Sequence, residues 1–321
     1  MPFSAIRGQE HAVGILKRSL EGNRVAHAYL FEGIEGCGKM LTARSLAEAL
    51  FCGSTEPCGS CPACRKMATK QHPDLHLLEP EKGIIKIDRI REIQKELSLR
   101  PVEAPKKVCI VNQADRMNQA AANAFLKTLE EPPGNALLIL LSDTPTALLS
   151  TILSRCQRLR FNPLPLEILT ELLLAQGAAA EQAQSAASLA GGSMAKGTAI
   201  LQEGFLTRRR EIVEQTIDLT PRDFATLTVT AERLGHEREQ AQEVVEVLTL
   251  FFRDVMLHRH GSLPPVNSDL SELVERTAGG LSTGDIMERL EAIIRAGQAL
   301  TRNVNPRLTL EALFMSLAMG R

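Results

Sequence analysis

Aromatic residues are scarce in this chain of 321 residues, which has no Trp, one Tyr and an aromatic fraction of 3%. Proteins that hold single-stranded nucleic acid stack its bases on aromatic side chains, so the scarcity argues against such a surface. The formal net charge is only −1. A strongly basic chain would attract nucleic acid through its bulk charge, and this chain offers no such argument.

Long apolar runs are missing as well. No stretch approaches the ~18 uninterrupted apolar residues of a membrane span, and no charged segment followed by an apolar one marks a signal peptide. We therefore predict a cytoplasmic protein. With 44% hydrophobic and 23% charged residues, the chain has a globular composition and enough length for two or three domains.

A glycine-rich segment near the N-terminus has the pattern of a phosphate-binding loop with one residue changed. Residues 33–40 read Gly-Ile-Glu-Gly-Cys-Gly-Lys-Met, between a buried-strand pattern at 27–31 and a helical pattern at 41–51. Such a loop bends backbone N–H groups around phosphates, and its lysine adds a point charge. The residues that would bind phosphate are Gly33, Gly36, Gly38 and Lys39. Met40 stands where a Ser or Thr would hold Mg²⁺.

The acidic residues that such a site requires are also replaced. In nucleotide-hydrolysing proteins of this kind, acids follow the second buried strand and handle Mg²⁺ and the attacking water. Here the strand predicted at 107–111 is followed by Asn112 and Gln113, whose neutral amides are poor substitutes for carboxylates. No Mg²⁺ site is expected, and hydrolysis is disfavoured. Lys39 can still attract an anion, so two interpretations remain: a loop that binds ATP, and a tight turn that only preserves the fold.

Four cysteines form a cluster with the spacing C-x5-C-x2-C-x2-C, namely Cys52, Cys58, Cys61 and Cys64. Four thiolates can complete a tetrahedral Zn²⁺ shell, and a closed shell of sulfur indicates a structural metal rather than a catalytic one. Clustered cysteines in a cytoplasmic protein favour metal binding over disulfides. The alternatives are free thiols in a flexible loop and a zinc-dependent nucleic-acid-binding module, against which charge and aromatic content both count. His72 is a spare candidate ligand, although its place next to Pro73, outside the cluster, favours a loop residue.

Strand and helix patterns alternate over the first half of the chain, which predicts an α/β domain with a parallel sheet. Further strands are predicted at 136–141 and 156–161, and helices at 118–130 and 148–154. A β-like patch at 84–87 precedes an amphipathic helix that runs to about Leu99. After the segment 162–165, Asn-Pro-Leu-Pro, the pattern is almost entirely helical, with short helices over 166–203 and longer amphipathic helices from about residue 208.

Several motifs in combination resemble the bacterial clamp-loader branch of the AAA+ proteins. They are the segment 27–33, the cysteine cluster, the helix and stop signal at 121–133, the triplet Ser154-Arg155-Cys156, and the segment 303–313. The resemblance covers essentially the whole chain. Within this branch the tau/gamma ATPase subunits keep the hydroxyl and both acids. The losses at Met40, Asn112 and Gln113 are instead similar to the degraded nucleotide site of the delta-prime (delta') subunit family.

The resemblance implies a P-loop AAA+ domain over 1–164 with a zinc-binding insert at 52–64, a small helical lid over 165–206, and an all-α collar over 207–321 that joins a five-subunit ring. It also implies a subunit of the DNA polymerase III holoenzyme without ATPase activity of its own. Its partners would be tau/gamma ATPase subunits, the delta subunit and, through the complex, the sliding clamp and primed DNA. The alternative is an active ATPase subunit of the tau/gamma kind, with Thr42 or Asp115 as an unusual metal ligand.

Individual residues take their expected roles from the same resemblance. By motif, Arg155 is the arginine finger, which would reach in trans into the ATP site of a neighbouring ATPase subunit and stabilise charge on the transferring phosphoryl group. Without the resemblance, an ion pair with a carboxylate of its own chain would be the preferred interpretation of Arg155. Ala195 stands where ATPase members place an arginine that senses the γ-phosphate. The segment 6–9 resembles the one beside the adenine pocket, or it is simply an N-terminal loop and helix cap. Lys127 and Glu130 either stabilise their helix or contact a neighbour.

Overall fold

The computed structural model describes residues 2–133, 136–202, 204–220, 224–261, 266–302 and 304–319. Asn303, the first residue of the C-terminal motif, lies outside the described residues. The chain divides into two compact units: Met1–Leu173 with Gly191–Lys196, and Leu174–Ala190 with Gly197–Arg321. The division into three domains, with boundaries near 164 and 206, stays a prediction.

The first unit contains a parallel sheet of five strands. In chain order these are β1 (Ala28–Glu32), β2 (Leu75–Leu78), β3 (Val108–Val111), β4 (Leu137–Ser142) and β5 (Gln157–Arg160). Their spatial order is β2-β3-β4-β1-β5, so that β1 is bordered by β4 on one side and by β5 on the other. Every residue of β1 and β4 is buried, as expected for interior strands that are covered on both faces. The predicted α/β domain with a parallel sheet is confirmed.

Two hydrophobic cores cover the two faces of this sheet. The helices of this part of the chain are α1 (Glu10–Glu21), α2 (Lys39–Cys52), α3 (Pro62–Ala68), α4 (Ile87–Ser98), α5 (Gln119–Glu130), α6 (Ser150–Leu153) and α7 (Leu166–Ala175). Successive residues of a strand point to opposite faces. Tyr29 and Phe31 therefore join the core built with α1 and α2, whereas Ala28 and Leu30 join the core built with α4 and α5.

Three local predictions of secondary structure differ from the fold. The patch at 84–87 is not a strand, because Ile85 forms only an isolated bridge with Met117 and Ile87 begins α4. The outer strand β2 was not predicted. The helix expected over 148–154 is reduced to the single turn of α6, after a short 3₁₀ turn at Pro145–Ala147.

The second unit is helical. Its helices follow from α8 (Ala180–Leu189) and α9 (Met194–Ile200), of which the first three residues belong to the first unit, to α10 (Phe205–Ile217), α11 (Phe224–Leu234), α12 (Arg238–His260), α13 (Ser271–Gly280), α14 (Thr283–Thr301) and α15 (Pro306–Met319). The 23-residue α12 packs against α10, α13 and α14. It buries one stripe of apolar residues at helical spacing in one core, namely Val244, Val247, Leu248, Phe251 and Val255. Within the described ranges, no helix is both long and apolar enough to cross a membrane.

Candidate functional site

The glycine-rich loop leaves the carboxyl end of β1 and leads directly into α2, as the sequence predicts. Because β1 lies between β4 and β5 in a parallel sheet, the loop sits at the edge where ligands bind in folds of this class. Gly36 has a φ of 76°, and a Cβ atom there would lie 2.4 Å from the Ser193 hydroxyl and 2.6 Å from the Ala195 nitrogen. This packing therefore requires glycine. The backbone N–H of Met194 also donates to the Gly36 carbonyl over 3.0 Å, so the segment 193–195 packs directly on the loop.

The side chain of Lys39 is turned back onto the loop that precedes it. Its ammonium group donates to the carbonyl oxygens of Gly33 and Ile34, each over 2.7 Å, and to Asp143 Oδ1 over 2.6 Å. An ammonium group has three N–H donors, and these three acceptors use all of them. Lys39 is buried, with 6% of its surface exposed. The charge that would attract a phosphate is thus paired with a carboxylate of the same chain.

Asp143 follows β4 and is held by a second acidic residue. The backbone N–H of Asp143 donates to Asp115 Oδ1 over 3.2 Å, and the Ser142 hydroxyl donates to the same oxygen over 2.7 Å. Asp115 therefore holds the end of β4 in place. Its Oδ1 is engaged in these two hydrogen bonds rather than directed at a metal. The sequence analysis did not single out Asp143. The available signal was a polar Ser-Asp pair directly after the third buried strand.

The residues at the positions that handle Mg²⁺ in ATPases have other contacts here. Met40 packs against the hydrophobic core on the α1 and α2 face. Asn112 donates from Nδ2 to a glutamate carboxylate at the end of β2 over 3.3 Å, and Gln113 begins a 3₁₀ turn with a φ of 49°. The hydroxyl of Thr42 is fully buried and donates to the carbonyl four residues earlier over 3.0 Å. These side chains do not offer the hydroxyl and carboxylate ligands that Mg²⁺-dependent hydrolysis requires at these positions.

Gln9 connects the N-terminal segment to the loop. Its Nε2 donates to the carbonyl oxygens of Cys37 over 3.1 Å and Asn162 over 2.7 Å, and its Oε1 accepts from the backbone N–H of Asn162 over 3.1 Å. Asn162 follows β5 closely, so Gln9 fixes the loop backbone against the neighbouring strand. The segment 6–9 thus has a structural role at the loop, and its place beside an adenine pocket stays a prediction.

The four clustered cysteines converge at the far end of α2, about 20 Å along the helix axis from the loop. Their Sγ atoms all lie within 4.8 Å of one another, with 3.9 Å between Cys52 and Cys61 and 4.0 Å between Cys58 and Cys64. A tetrahedron with Zn–S bonds of ~2.3 Å places its sulfur atoms ~3.8 Å apart. The cluster can therefore hold a metal such as zinc, in the ligand set that the spacing predicts.

Hydrogen bonds within the cluster favour the charged form of one thiol. The backbone N–H of Cys61 donates to Cys58 Sγ over 3.4 Å. The backbone N–H groups of Ser60 and Cys61, together with the Ser60 hydroxyl, lower the pKa of Cys58 to about 6. His72 does not belong to the group of potential ligands found among the described residues. Its ring stacks on Phe51, with 4.0 Å between ring centroids.

The loop lies where the strands of the sheet have their carboxyl ends, which is its carboxyl edge. Arg155 lies at the opposite, amino edge, where the strands begin. It precedes β5, whereas the loop follows β1, and a parallel sheet separates these ends by the length of a four-residue strand, about 13 Å. The guanidinium donates from Nη2 to Glu130 Oε1 over 2.7 Å, and from Nη1 to the Thr151 carbonyl over 3.1 Å. The side chains of Arg155 and Glu130 are 35% and 50% exposed. The internal ion pair is therefore present, at a site open to solvent.

Two family models match this chain: "DNA polymerase III, delta subunit" over residues 8–165, and "DNA polymerase III, delta subunit, C terminal" over residues 203–318. The Bacillus subtilis DNA polymerase III subunit delta' is 31% identical, over 97% of this chain and 97% of that protein. The chain belongs to the DNA polymerase III delta' family.

One further relative supports the same placement, and one solved structure shares the fold. The Escherichia coli delta' subunit is 30% identical over 87% of this chain and 83% of its own length. The solved structure of a gamma subunit-related protein from Thermotoga maritima covers 96% of this chain and 99% of that one, with a TM-score of 0.55 and 22% identity. That similarity shows a shared fold. The predicted AAA+ fold followed by a helical region is confirmed for this delta' chain.

The residues singled out from the sequence occupy three separate places in this delta' chain. The loop lies at the carboxyl edge of the sheet, the cysteines lie at the end of α2, and Arg155 lies at the amino edge. Sequence reasoning missed Asp143 as the partner of Lys39. It offered an internal ion pair for Arg155, and for Glu130 either a role in its helix or a contact with a neighbour, but it did not join the two residues.

Proposed function

We propose that this delta' chain is a non-hydrolysing subunit of the clamp loader, and that it supplies Arg155 in trans to the ATP site of a neighbouring tau/gamma-type subunit. The observation that carries the proposal is the position of Arg155. The residue lies at the amino edge of the sheet and about a third of its side chain is exposed, at 35%. The loop with Lys39 lies at the other edge, so an exposed Arg155 is available to a neighbour rather than to its own loop.

The absence of hydrolysis in cis is supported by the loop itself. The ammonium of Lys39 is saturated by Asp143 and two carbonyl oxygens. Phosphoryl transfer on this fold needs Mg²⁺ held by a hydroxyl and an acid, and needs a positioned water. The corresponding residues here are a methionine and two amides. The loop then serves as a turn that joins β1 to α2.

A guanidinium supplied in trans requires no competent nucleotide site in its own chain. Its role is to stabilise negative charge on the phosphoryl group as it is transferred, an effect worth roughly 10³–10⁵ in rate in other systems. Arg155 suits this role because its planar group carries several donors and is held by groups that solvent can replace.

The proposed partners are the tau/gamma and delta subunits, with the sliding clamp and primed DNA reached through the complex. Family membership supports a place in the clamp loader. A Bacillus subtilis DNA polymerase III subunit tau is 24% identical over 98% of this chain and 61% of its own length, so the two kinds of subunit are related. The helical second unit supports a collar role over residues 207–321.

The cysteine cluster is proposed to hold a structural Zn²⁺ through Cys52, Cys58, Cys61 and Cys64. The ion would cross-link the end of α2 to α3 and the loop between them. Because all four positions of the shell are filled by sulfur, it would offer no open position for a substrate.

The decisive experiment is a reconstituted clamp loader in which this subunit carries Arg155→Ala. The ATPase rate stimulated by clamp and primed DNA should fall sharply, because the site that faces this subunit loses a factor of roughly 10³ or more. Arg160→Ala, which removes an exposed arginine from β5, is the matched control and should leave the rate unchanged. An undiminished rate with normal clamp loading for Arg155→Ala would refute the arginine-finger role.

The isolated chain provides the second measurement. We expect no ATP turnover with Mg²⁺. Turnover that disappears in Lys39→Ala would instead support the alternative of an active ATPase subunit.

A further inference from the structure

In the free chain, Glu130 forms an ion pair with Arg155 and neutralises its positive charge. We infer that Glu130 is a positioning residue. It keeps the Arg155 guanidinium in a resting position on its own subunit until the guanidinium binds the phosphate oxygens of a nucleotide in the neighbouring subunit. This inference rests on the proposed trans role of Arg155, and it adds a residue through which that role is regulated.

The resting position is defined by acceptors from two helices. Glu130 is the last residue of α5, and its Oε1 lies 2.7 Å from Arg155 Nη2. Thr151 belongs to α6, and its carbonyl oxygen lies 3.1 Å from Arg155 Nη1. These helices pack against each other. Two acceptors on the two terminal nitrogens of a planar fork fix the direction of the whole group.

The chemistry of the trans role conflicts with this pairing. An arginine that stabilises a transferring phosphoryl group must direct its charge and its N–H donors at phosphate oxygens. A carboxylate in direct hydrogen-bond contact neutralises that charge and uses one of the donors. The phosphate must therefore displace Glu130, or Glu130 must turn away first.

The pair is weak enough for such an exchange. Both side chains are substantially exposed, at 35% for Arg155 and 50% for Glu130. Ion pairs between exposed side chains shift the ratio of paired to unpaired side chains by about two- to five-fold. Glu130 thus lowers the population of unpaired Arg155 without abolishing it. Removal of the Glu130 carboxylate should raise that population by a similar factor.

The test compares two neighbouring glutamates in the reconstituted clamp loader. Glu130→Gln should raise the ATPase rate measured without clamp and DNA by about two- to five-fold, with the KM for ATP unchanged. Glu131→Gln removes the same charge one residue later, from an exposed side chain at the end of α5, and should have no effect. In an Arg155→Ala background, Glu130→Gln should change nothing, because Glu130 acts through Arg155 alone.

An independent readout uses the isolated chain. Modification of Arg155 by a dicarbonyl reagent, followed by peptide mass spectrometry, should be about two- to five-fold faster in Glu130→Gln than in the wild type or Glu131→Gln.

The outcomes separate this inference from the proposed function. If Arg155→Ala lowers the stimulated rate while Glu130→Gln matches Glu131→Gln, the resting position is refuted and the trans role stands. If Glu130→Gln lowers the rate and Glu130→Asp restores it, the carboxylate aids catalysis and the resting role is also refuted. If Arg155→Ala has no effect, the proposed function itself fails.

Discussion

Lys39 Nζ lies 2.6 Å from Asp143 Oδ1, so the lysine of the phosphate loop already has an anion beside it. The two residues are separated by 104 positions in the chain, and the sheet brings them together because β4 runs beside β1. A phosphate that enters the loop must displace this carboxylate or share the ammonium with it. Asp143 would therefore compete with such a phosphate for the Lys39 ammonium.

The first prediction follows from that competition. Asp143→Ala should raise the affinity of the chain for pyrophosphate by about tenfold, because a charge-assisted hydrogen bond of about 1.5 kcal/mol no longer holds Lys39. Isothermal titration calorimetry without Mg²⁺ measures the change, since pyrophosphate tests the loop and needs no adenine pocket.

Glu35→Gln is the control for long-range charge. Glu35 lies in the same loop and is exposed, so this variant changes net charge by the same amount and leaves Lys39 paired. An equal gain in both variants would assign the effect to charge alone, and no gain in Asp143→Ala would show that Asp143 does not compete with the anion.

Local spacing accounts for what the sequence predicted about the site. The glycine loop, the four cysteines and the Ser-Arg-Cys triplet are each contained in a short segment. The contacts that hold the glycine loop connect distant parts of the chain: Lys39 bonds to Asp143 over 104 residues, and Gln9, which also bonds to the loop, reaches Asn162 over 153. Nothing in the spacing of either segment specifies those partners, because they depend on how the strands are ordered in the sheet.

The same contrast holds for the fold. Strands β1, β3 and β4 are buried along their whole length and read as apolar runs, with a polar residue only at the last position of β1 and β4. Strand β2 borders the sheet and is only partly buried, so its signal is weak. The isoleucines at 84–87 suggested a strand, but Ile87 starts a helix whose buried residues, Ile90, Ile93 and Leu97, recur at helical spacing.

The second prediction concerns the metal. Cys58→Ser should reduce bound zinc from about one ion per chain to near zero, because serine cannot replace a thiolate in this shell. The midpoint of thermal unfolding should fall by about 4 °C or more, since structural zinc contributes to folding stability. Metal analysis and thermal melts provide the two measurements.

Cys58 is the most informative of the four positions because its side chain is exposed. Its substitution leaves no cavity in the core, so a loss of stability reports on the metal. Cys156→Ser, outside the cluster, should retain zinc. A Cys58→Ser variant with a full complement of zinc would show that the cluster does not bind the ion as a four-sulfur shell.

The third prediction rests on Asp74, which fastens the segment before β3. Its carboxylate accepts from the backbone N–H groups of Val102 over 2.7 Å, Glu103 over 2.8 Å and Ala104 over 2.8 Å, and the residue is fully buried. Burial acts to raise the pKa of Asp74, but the three N–H donors outweigh it, so the pKa lies below its ordinary value. The folded chain thus favours the ionised form, and Asp74 contributes stability at a pH above its unfolded pKa of about 3.9.

Asp74→Asn should lower the free energy of unfolding by about 2–3 kcal/mol at neutral pH, because a neutral amide replaces the charged acceptor of three hydrogen bonds. The difference in free energy of unfolding between the wild type and Asp74→Asn should be constant above about pH 5. It should shrink as the pH falls below about 3.9 towards the lower folded pKa, because wild-type Asp74 then also loses its charge. Urea unfolding at steps of pH from 7 to 3 measures this difference. Asp88→Asn, which changes a carboxyl that is 77% exposed on α4, should stay within about 0.5 kcal/mol of the wild type throughout. A difference for Asp74→Asn that does not narrow at low pH would show that the N–H groups do not depend on the charge of Asp74.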